Sequence, residues 1–205
     1  MKRVCIINGN REYSNMFFEL GYHLVPYVKE SDLVCFTGGA DVSPSMYGAK
    51  PHRTTHSDAY RDETERYAFN NAYTMGIPMV GICRGGQFLN VMSGGEMYQD
   101  VSKHCSPHTI TDATTGETVY VSSTHHQMMK MGSEGILVAS STLLGTREWY
   151  ESGIFKKEVS EQDIEVVYYK HTQCLCFQPH PEFSSVEYVG MRNYFKSLLE
   201  RYTLS

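Results

Sequence analysis

The chain has 205 residues, and its 18 lysines and arginines against 23 aspartates and glutamates give a formal charge of −5. That length suits one well-filled α/β domain, expected over residues 1–205, and leaves no room for a fused second enzyme. The acidic balance, with no basic stripe, gives no electrostatic footprint for nucleic acid or an anionic membrane surface.

Val4 to Ile7 reads as a first strand. Met1-Lys2-Arg3 ahead of it does not make a signal peptide, because the apolar run is too short and meets Asn8-Gly9-Asn10 at once. No later segment approaches a membrane-spanning length. Ser14 to Leu20 reads as a helix with Ser14 as its N-cap, and His23 to Val28 is open between strand and loop. Asp32 to Phe36 reads as a strand, followed by the loop Thr37-Gly38-Gly39-Ala40-Asp41-Val42-Ser43-Pro44. Glycines at a strand end let backbone N–H groups approach a substrate oxygen without side-chain obstruction, as an oxyanion hole requires; an ordinary glycine turn is the alternative. Asp62 to Met75 carries Tyr67, Ala68, Ala72 and Met75 at helical spacing and ends at Gly76. Glu63 and Glu65 with Arg61 and Arg66 read as its solvated face.

The most informative stretch is Gly81-Ile82-Cys83-Arg84-Gly85-Gly86-Gln87. Ile77 to Ile82 reads as a short buried strand and Gln87 to Met92 as the first turns of a helix, so the chain must reverse within about one residue at Cys83. A residue on such a turn is strained and projects above the sheet edge. Glycines two before and two after remove the Cβ atoms that would collide there. A cysteine at a helix N-terminus is also favoured as thiolate by the unpaired N–H groups and the macrodipole. A buried structural cysteine is the competing reading.

After residue 95 the elements become shorter. Glu117 to Ser122, Gly135 to Ala139, Ile164 to Tyr169 and Cys174 to Phe177 read as strands, expected as a small antiparallel portion that delivers the next motif. In Gln178-Pro179-His180-Pro181-Glu182 the prolines hold the backbone extended, so residues two apart point the same way. His180 and Glu182 can thus project together, the carboxylate orienting an imidazole that serves as base for a nucleophile. The last helix begins near Ser184, where Ser184 and Glu187 match a capping box, and buries Tyr188, Met191, Phe195, Leu198, Leu199 and Tyr202. Alternation of strands and helices makes this α/β, a doubly wound and mostly parallel sheet flanked by helices, with Gly39, Cys83 and His180 all beyond carboxyl ends of strands.

His104-Cys105-Ser106-Pro107-His108 with His125-His126 raises the question of zinc, but the spacing fits no strong template and no metal is expected. His125 and His126 read instead as pocket residues, one packing inward and the other meeting substrate. Six cysteines without regular spacing make no disulfide framework. Cys5, Cys35, Cys174 and Cys176 lie in apolar runs, as reduced core residues of a cytoplasmic protein do.

With these residues the chain resembles the class I glutamine amidotransferase superfamily, whose triad is Cys, His and Glu in that order. Thr37 to Pro44 with Tyr47-Gly48, Arg61-Asp62 with Glu65, Gly94-Gly95 through Tyr98-Gln99-Asp100, and Ser123-Thr124-His125-His126-Gln127 are most similar to the γ-glutamyl hydrolase branch, which includes γ-glutamyl-γ-aminobutyrate hydrolases. The resemblance implies Cys83 as nucleophile, His180 as base and Glu182 as its orienter. It also implies Gly39 and Arg84 amides as the oxyanion hole, and Gly38, Gln87, His125, His126 and Gln127 beside the substrate. It leaves Arg61, Asp62 or Glu65 a structural role near the loop after Gly39. No cofactor is expected. The implied activity is cleavage of a γ-glutamyl amide through a glutamyl thioester, as a glutaminase that passes ammonia to a separate synthetase subunit. The alternatives are a free-standing hydrolase of γ-glutamyl amines or peptides and, more remotely, a non-catalytic binding relative; a homodimer is also open. Leu143 to Gln162 is polar and resembles nothing in that branch.

Overall fold

The computed structural model describes residues 2–141, 143 and 145–203. In chain order its first half contains β1 (Lys2–Ile7), α1 (Arg11–Glu19), β2 (Tyr22–Leu24), β3 (Leu33–Phe36), α2 (Ala59–Thr74), β4 (Met79–Ile82) and α3 (Arg84–Met92). Short strands follow: β5 (Glu96–Tyr98), β6 (Asp100–Val101), β7 (His108–Asp112), β8 (Thr118–Val121), β9 (Met128–Lys130), β10 (Gly135–Ser141), β11 (Thr146–Glu151), β12 (Ile154–Val159), β13 (Asp163–Tyr169) and β14 (Cys174–Phe177). The last helix is α4 (Val189–Thr203).

The main sheet has nine strands in the order β2-β1-β3-β4-β14-β13-β10-β7-β8. From β2 to β14 neighbouring strands run parallel, and from β14 to β8 they run antiparallel. The antiparallel portion is therefore larger than expected, and β14 is the seam: parallel to β4 on one side and antiparallel to β13 on the other. Period-two alternation sorts the central strands between two cores. Leu33 and Cys35 join Tyr13, Met16 and Phe17 of α1 and Met191, Phe195 and Leu198 of α4 on one face. Val34 and Phe36 join Ala68, Phe69 and Ala72 of α2 and Phe88 and Leu89 of α3 on the other. Helices thus cover both faces, the doubly wound arrangement.

Three helix starts differ from expectation, each for a reason of capping or exposure. α1 begins earlier because Asn10, not Ser14, accepts from the Glu12 and Tyr13 amides at 2.9 and 3.4 Å. α2 begins at Ala59 because Asp58 accepts from the Tyr60 and Arg61 amides, each at 3.1 Å. Its buried face is Asp62, Glu65, Ala68, Phe69 and Ala72, while Tyr67 and Met75 point to solvent. Before α4 the chain makes a single 3-10 turn, Val186–Tyr188, without a side-chain cap, so the Ser184–Glu187 box does not form. Ser185 Oγ instead donates to the Glu187 carboxylate at 3.2 Å.

β6, β11 and β12 form a separate three-stranded sheet, and β5 pairs with β9. The polar region Leu143 to Gln162 supplies the β11–β12 hairpin, in which all six β12 residues are exposed. Among the described residues no helix is long and apolar enough to cross a membrane.

Candidate active site

β3, β4 and β14 are adjacent and parallel, and their carboxyl ends deliver Thr37-Gly38-Gly39, Cys83 and Gln178-Pro179-His180 to one edge of the sheet. Cys83 stands between β4 and α3 with φ 53° and ψ −116°, the strained positive-φ geometry its flanking glycines predict. Its amide donates to the Phe177 carbonyl at 2.8 Å, fastening the turn to β14. A Cβ on Gly81 would lie 2.2 Å from the Gly85 carbonyl oxygen, and one on Gly85 would lie 2.2 Å from that of Phe36. Both glycines are thus required by backbone packed against backbone, and Cys83 is left 8 % exposed at the head of α3.

His180 approaches from β14. Its Nδ1 donates to Glu182 Oε1 at 2.6 Å, the expected pair, but on a turn at Pro181-Glu182 closed by the Phe183 amide on the His180 carbonyl at 3.3 Å and not on the extended backbone expected of the prolines. Its Nε2 is buried and has no protein partner of good hydrogen-bond geometry among the described residues. Burial alone would lower the imidazole, but the nearby Cys83 sulfur and the Glu182 carboxylate outweigh it and raise His180 to about 10. The ring stacks on Phe183 at a centroid separation of 4.8 Å. Ser122, at the end of β8, accepts from the His180 amide at 2.9 Å and donates to its carbonyl at 3.3 Å.

Gly38 separates the groups. A Cβ there would meet His180 Cε1 and the Tyr13 hydroxyl oxygen, each at 3.1 Å, and Cys83 Cβ at 3.6 Å. The Gly38 amide donates to the Tyr13 hydroxyl at 3.0 Å, so this N–H is taken and the residue's contribution is room. Burial and then the Glu182 charge push the Tyr13 hydroxyl well above its ordinary range, keeping it protonated. Gly39, exposed, has φ 148°, and among the described residues no hydrogen bond occupies its amide or that of Arg84.

Beneath this loop lies a buried ionic clamp. Arg61 Nε donates to Glu65 Oε1 at 2.8 Å, and its Nη2 donates to the Thr37 carbonyl at 2.9 Å. The Arg84 guanidinium, 1 % exposed, pairs with both Asp62 and Glu65 and donates from Nε to the Ala40 carbonyl at 3.1 Å. Asp62 Oδ2 in turn accepts from the Ser43 amide at 3.1 Å. Burial, then neighbouring Arg61, lower Arg84 to about 10, which leaves it charged at neutral pH. Glu65 therefore belongs to the clamp and not to a solvated face; only Glu63 and Arg66 pair at the surface.

The expected substrate residues divide. Gln87 is 3 % exposed and its Nε2 donates to the Gln127 carbonyl at 3.0 Å and to Gln178 Oε1 at 3.2 Å, tying α3 to both segments. His125 packs inward: Nδ1 donates to the Gln127 carbonyl at 2.8 Å, its other nitrogen is buried beside Glu165, and burial lowers it to about 4. It does not line the cleft, because its segment turns toward β13. Gln127, 1 % exposed, is likewise interior and donates from Nε2 to Thr55 Oγ1 at 3.4 Å. His126 is the half-exposed member, 3.1 Å from Asp41 of the loop after β3, whose hydrogen bond raises it. Sequence reasoning missed Tyr13 and Ser122, which act from distant elements with no local signal.

A thiol beside a buried, carboxylate-oriented imidazole, with two free amides at its lip, is equipped for nucleophilic attack on a carbonyl and proton transfer to the leaving group. The model of the Peptidase C26 family matches residues 21–182. The glutamine amidotransferase-like protein YvdE homolog of Lactococcus lactis subsp. cremoris is 32 % identical over 158 residues, 62 % of this chain and 84 % of that protein. The glutamine amidotransferase-like protein YvdE of Lactococcus lactis subsp. lactis is 34 % identical over 131 residues, 54 % of this chain but only 56 % of its own length. In fold, a Thermoplasma acidophilum protein described as a GMP synthase subunit superposes with a TM-score of 0.56 at 13 % identity, covering 98 % of each chain.

Proposed function

Because the chain belongs to the Peptidase C26 family, we propose that it hydrolyses a γ-glutamyl amide bond through a thioester on Cys83. The observation that carries this reading is the positive-φ Cys83 lying, with an imidazole fixed by Glu182, against the same glycine, Gly38. Cys83 Sγ attacks the γ-carbonyl carbon, and the oxygen takes the negative charge against the Gly39 and Arg84 amides. The C–N bond breaks as His180 Nε2 gives its proton to the departing nitrogen. A water molecule then loses a proton to His180 and attacks the thioester carbon, glutamate leaves, and the sulfur is released. A histidine raised to about 10 holds the proton needed by the first leaving group before substrate arrives.

Two versions share this chemistry. The relatives described as glutamine amidotransferase-like, and the fold likeness to a synthase subunit, favour a glutaminase that hands ammonia to a separate synthetase. The peptidase family description favours a free-standing hydrolase of γ-glutamyl amines or peptides. The experiment is incubation with a glutamine-like diazoketone followed by intact-mass analysis, together with glutamate release from glutamine and from a panel of γ-glutamyl amines. One adduct per chain, absent in Cys83→Ala, is expected. Folded wild-type protein that takes no adduct and releases no glutamate from any member of the panel would overturn the reading. Glutamate from glutamine alone supports the first version, and preference for an amine conjugate the second.

A further inference from the structure

Beside β13, outside the cleft, three histidines close on one carboxylate. Glu165, 0 % exposed, has Oε1 3.2 Å from His104 Nδ1, 3.0 Å from His108 Nε2 and 3.8 Å from His125 Nε2. Each histidine is held at its other ring nitrogen by an acceptor. His104 Nε2 meets Asp163 Oδ2 at 2.7 Å, His108 Nδ1 meets the Ser106 carbonyl at 3.1 Å, and His125 Nδ1 meets the Gln127 carbonyl at 2.8 Å. A carbonyl or an ionised carboxylate can only accept, so each outer nitrogen carries a proton. A neutral imidazole then turns a lone pair inward, toward a carboxylate that is itself only an acceptor; His108 Nε2 alone of the three inner nitrogens has hydrogen-bond geometry to Glu165 Oε1, at 3.0 Å, a contact that without a cation needs a proton on that nitrogen. Among the described residues His104 Nδ1, His125 Nε2 and Glu165 Oε2 are buried without a hydrogen-bond partner.

We propose that this cluster is a buried site for a divalent transition metal, zinc by its chemistry, with His104, His125 and Glu165 as ligands and His108 Nε2 as the fourth. One ligand atom from each of His104, His125 and Glu165 already lies within 4.8 Å of the others. Nitrogen-rich, four-ligand sites are what zinc takes, at metal–nitrogen distances of about 2.0–2.1 Å. Outer nitrogens anchored on carbonyls and a carboxylate are the support that metal-bound histidines need. With no open ligand position the role is structural: the ion clasps the segment Ser123–Gln127 and the loop between β6 and β7 to β13. Glu165 is also joined to the His180 loop through its carbonyl, which accepts from the Gln178 amide at 2.9 Å. The inference stands whether or not Cys83 is the nucleophile. Without a cation, the same cluster must instead hold an imidazolium: burial lowers His104, but Asp163 and Glu165 lift it to about 9.

The test uses the full chain without a histidine tag, expressed with Zn2+ supplied, dialysed against metal-free buffer and measured by elemental analysis. About one zinc per chain is expected. Co2+ alone added to the stripped protein should give the intense visible bands of tetrahedral cobalt, and chelation should lower the thermal midpoint. Glu165→Gln and Asp163→Asn, the second keeping all four ligands, should each lower metal affinity roughly tenfold or more. Wild-type protein that retains no zinc, shows no cobalt band and melts identically with chelator would overturn the proposal and leave the imidazolium network. Equal zinc affinity of wild type and Glu165→Gln in competition with a chelator would overturn it too, by placing the metal elsewhere.

Discussion

The two halves of the main sheet hold their functional groups by different physics. In the parallel half, Cys83 is fixed by main chain on main chain: Gly81 against Gly85, Gly85 against Phe36, and the Cys83 amide on Phe177. In the antiparallel half almost nothing is placed that way. Ser122 braces His180, and behind it lie buried His104, His108, Asp163 and Glu165. Backbone packing tolerates no change of shape but carries no charge. Buried polar networks tolerate little change of charge, because every group left unpaired in a low dielectric bears its full desolvation cost.

The contrast breaks first at Cys83. Replacing it with alanine removes the proposed nucleophile without touching the glycines, so turnover should fall by roughly 10⁴-fold or more while the unfolding midpoint drops only by the part of the His180 stabilisation that the sulfur supplies; steady-state kinetics with a denaturant titration reads both. A midpoint that collapses would make Cys83 a packing residue. Next is Glu65→Gln, which keeps the volume but leaves Arg61 and Arg84 short of a buried partner. About 3–5 kcal/mol of stability should be lost, measured by urea unfolding, with Glu63→Gln on the exposed side of the same helix as the unaffected control.

A subtler break uses pH. His180 is raised from 6.5 to about 10 in the folded state, so its contribution to stability is complete below about 6.5 and is lost as pH climbs through about 10. In Cys83→Ala one cause of that rise is gone, and stability should decline less steeply over the window. Histidine NMR should show the imidazolium of His180 titrating lower in the variant. An unchanged titration would mean sulfur and ring do not interact. The smallest effect is expected for Ser122→Ala, which removes two hydrogen bonds to His180 main chain at a cost of about 1 kcal/mol and, through a misplaced imidazole, roughly tenfold in rate. A full rate with reduced stability would separate bracing from positioning.

The same contrast explains what could be read in the sequence. The elbow, the Gly38-Gly39 loop and the His180–Glu182 pair are legible because each is local: glycine spacing and a two-residue separation bring the groups together within a few residues, although the prolines lead into a turn at Pro181-Glu182 and not the extended backbone read from them. His125 and Glu65 are not. Whether a histidine faces cleft or core, or a glutamate faces water or an arginine 19 residues later, depends on β13 and α3 arriving from elsewhere. The β11–β12 hairpin was unreadable for another reason. A strand exposed at every position, as β12 is, carries no hydrophobic alternation to announce it. The helix starts at Arg11 and Ala59 were missed because Asn10 and Asp58 cap from outside the apolar pattern.

One oxygen joins the halves. The carbonyl of residue 127 receives both the Gln87 amide from the elbow helix and the ring of His125. Because that joint is made of peptide, an alanine scan would walk straight past it: any amino acid at the position brings the same atom. Only an ester substitution in the main chain, weakening the acceptor while sparing every side group, would report how firmly the thiol's platform is coupled to the imidazoles behind it.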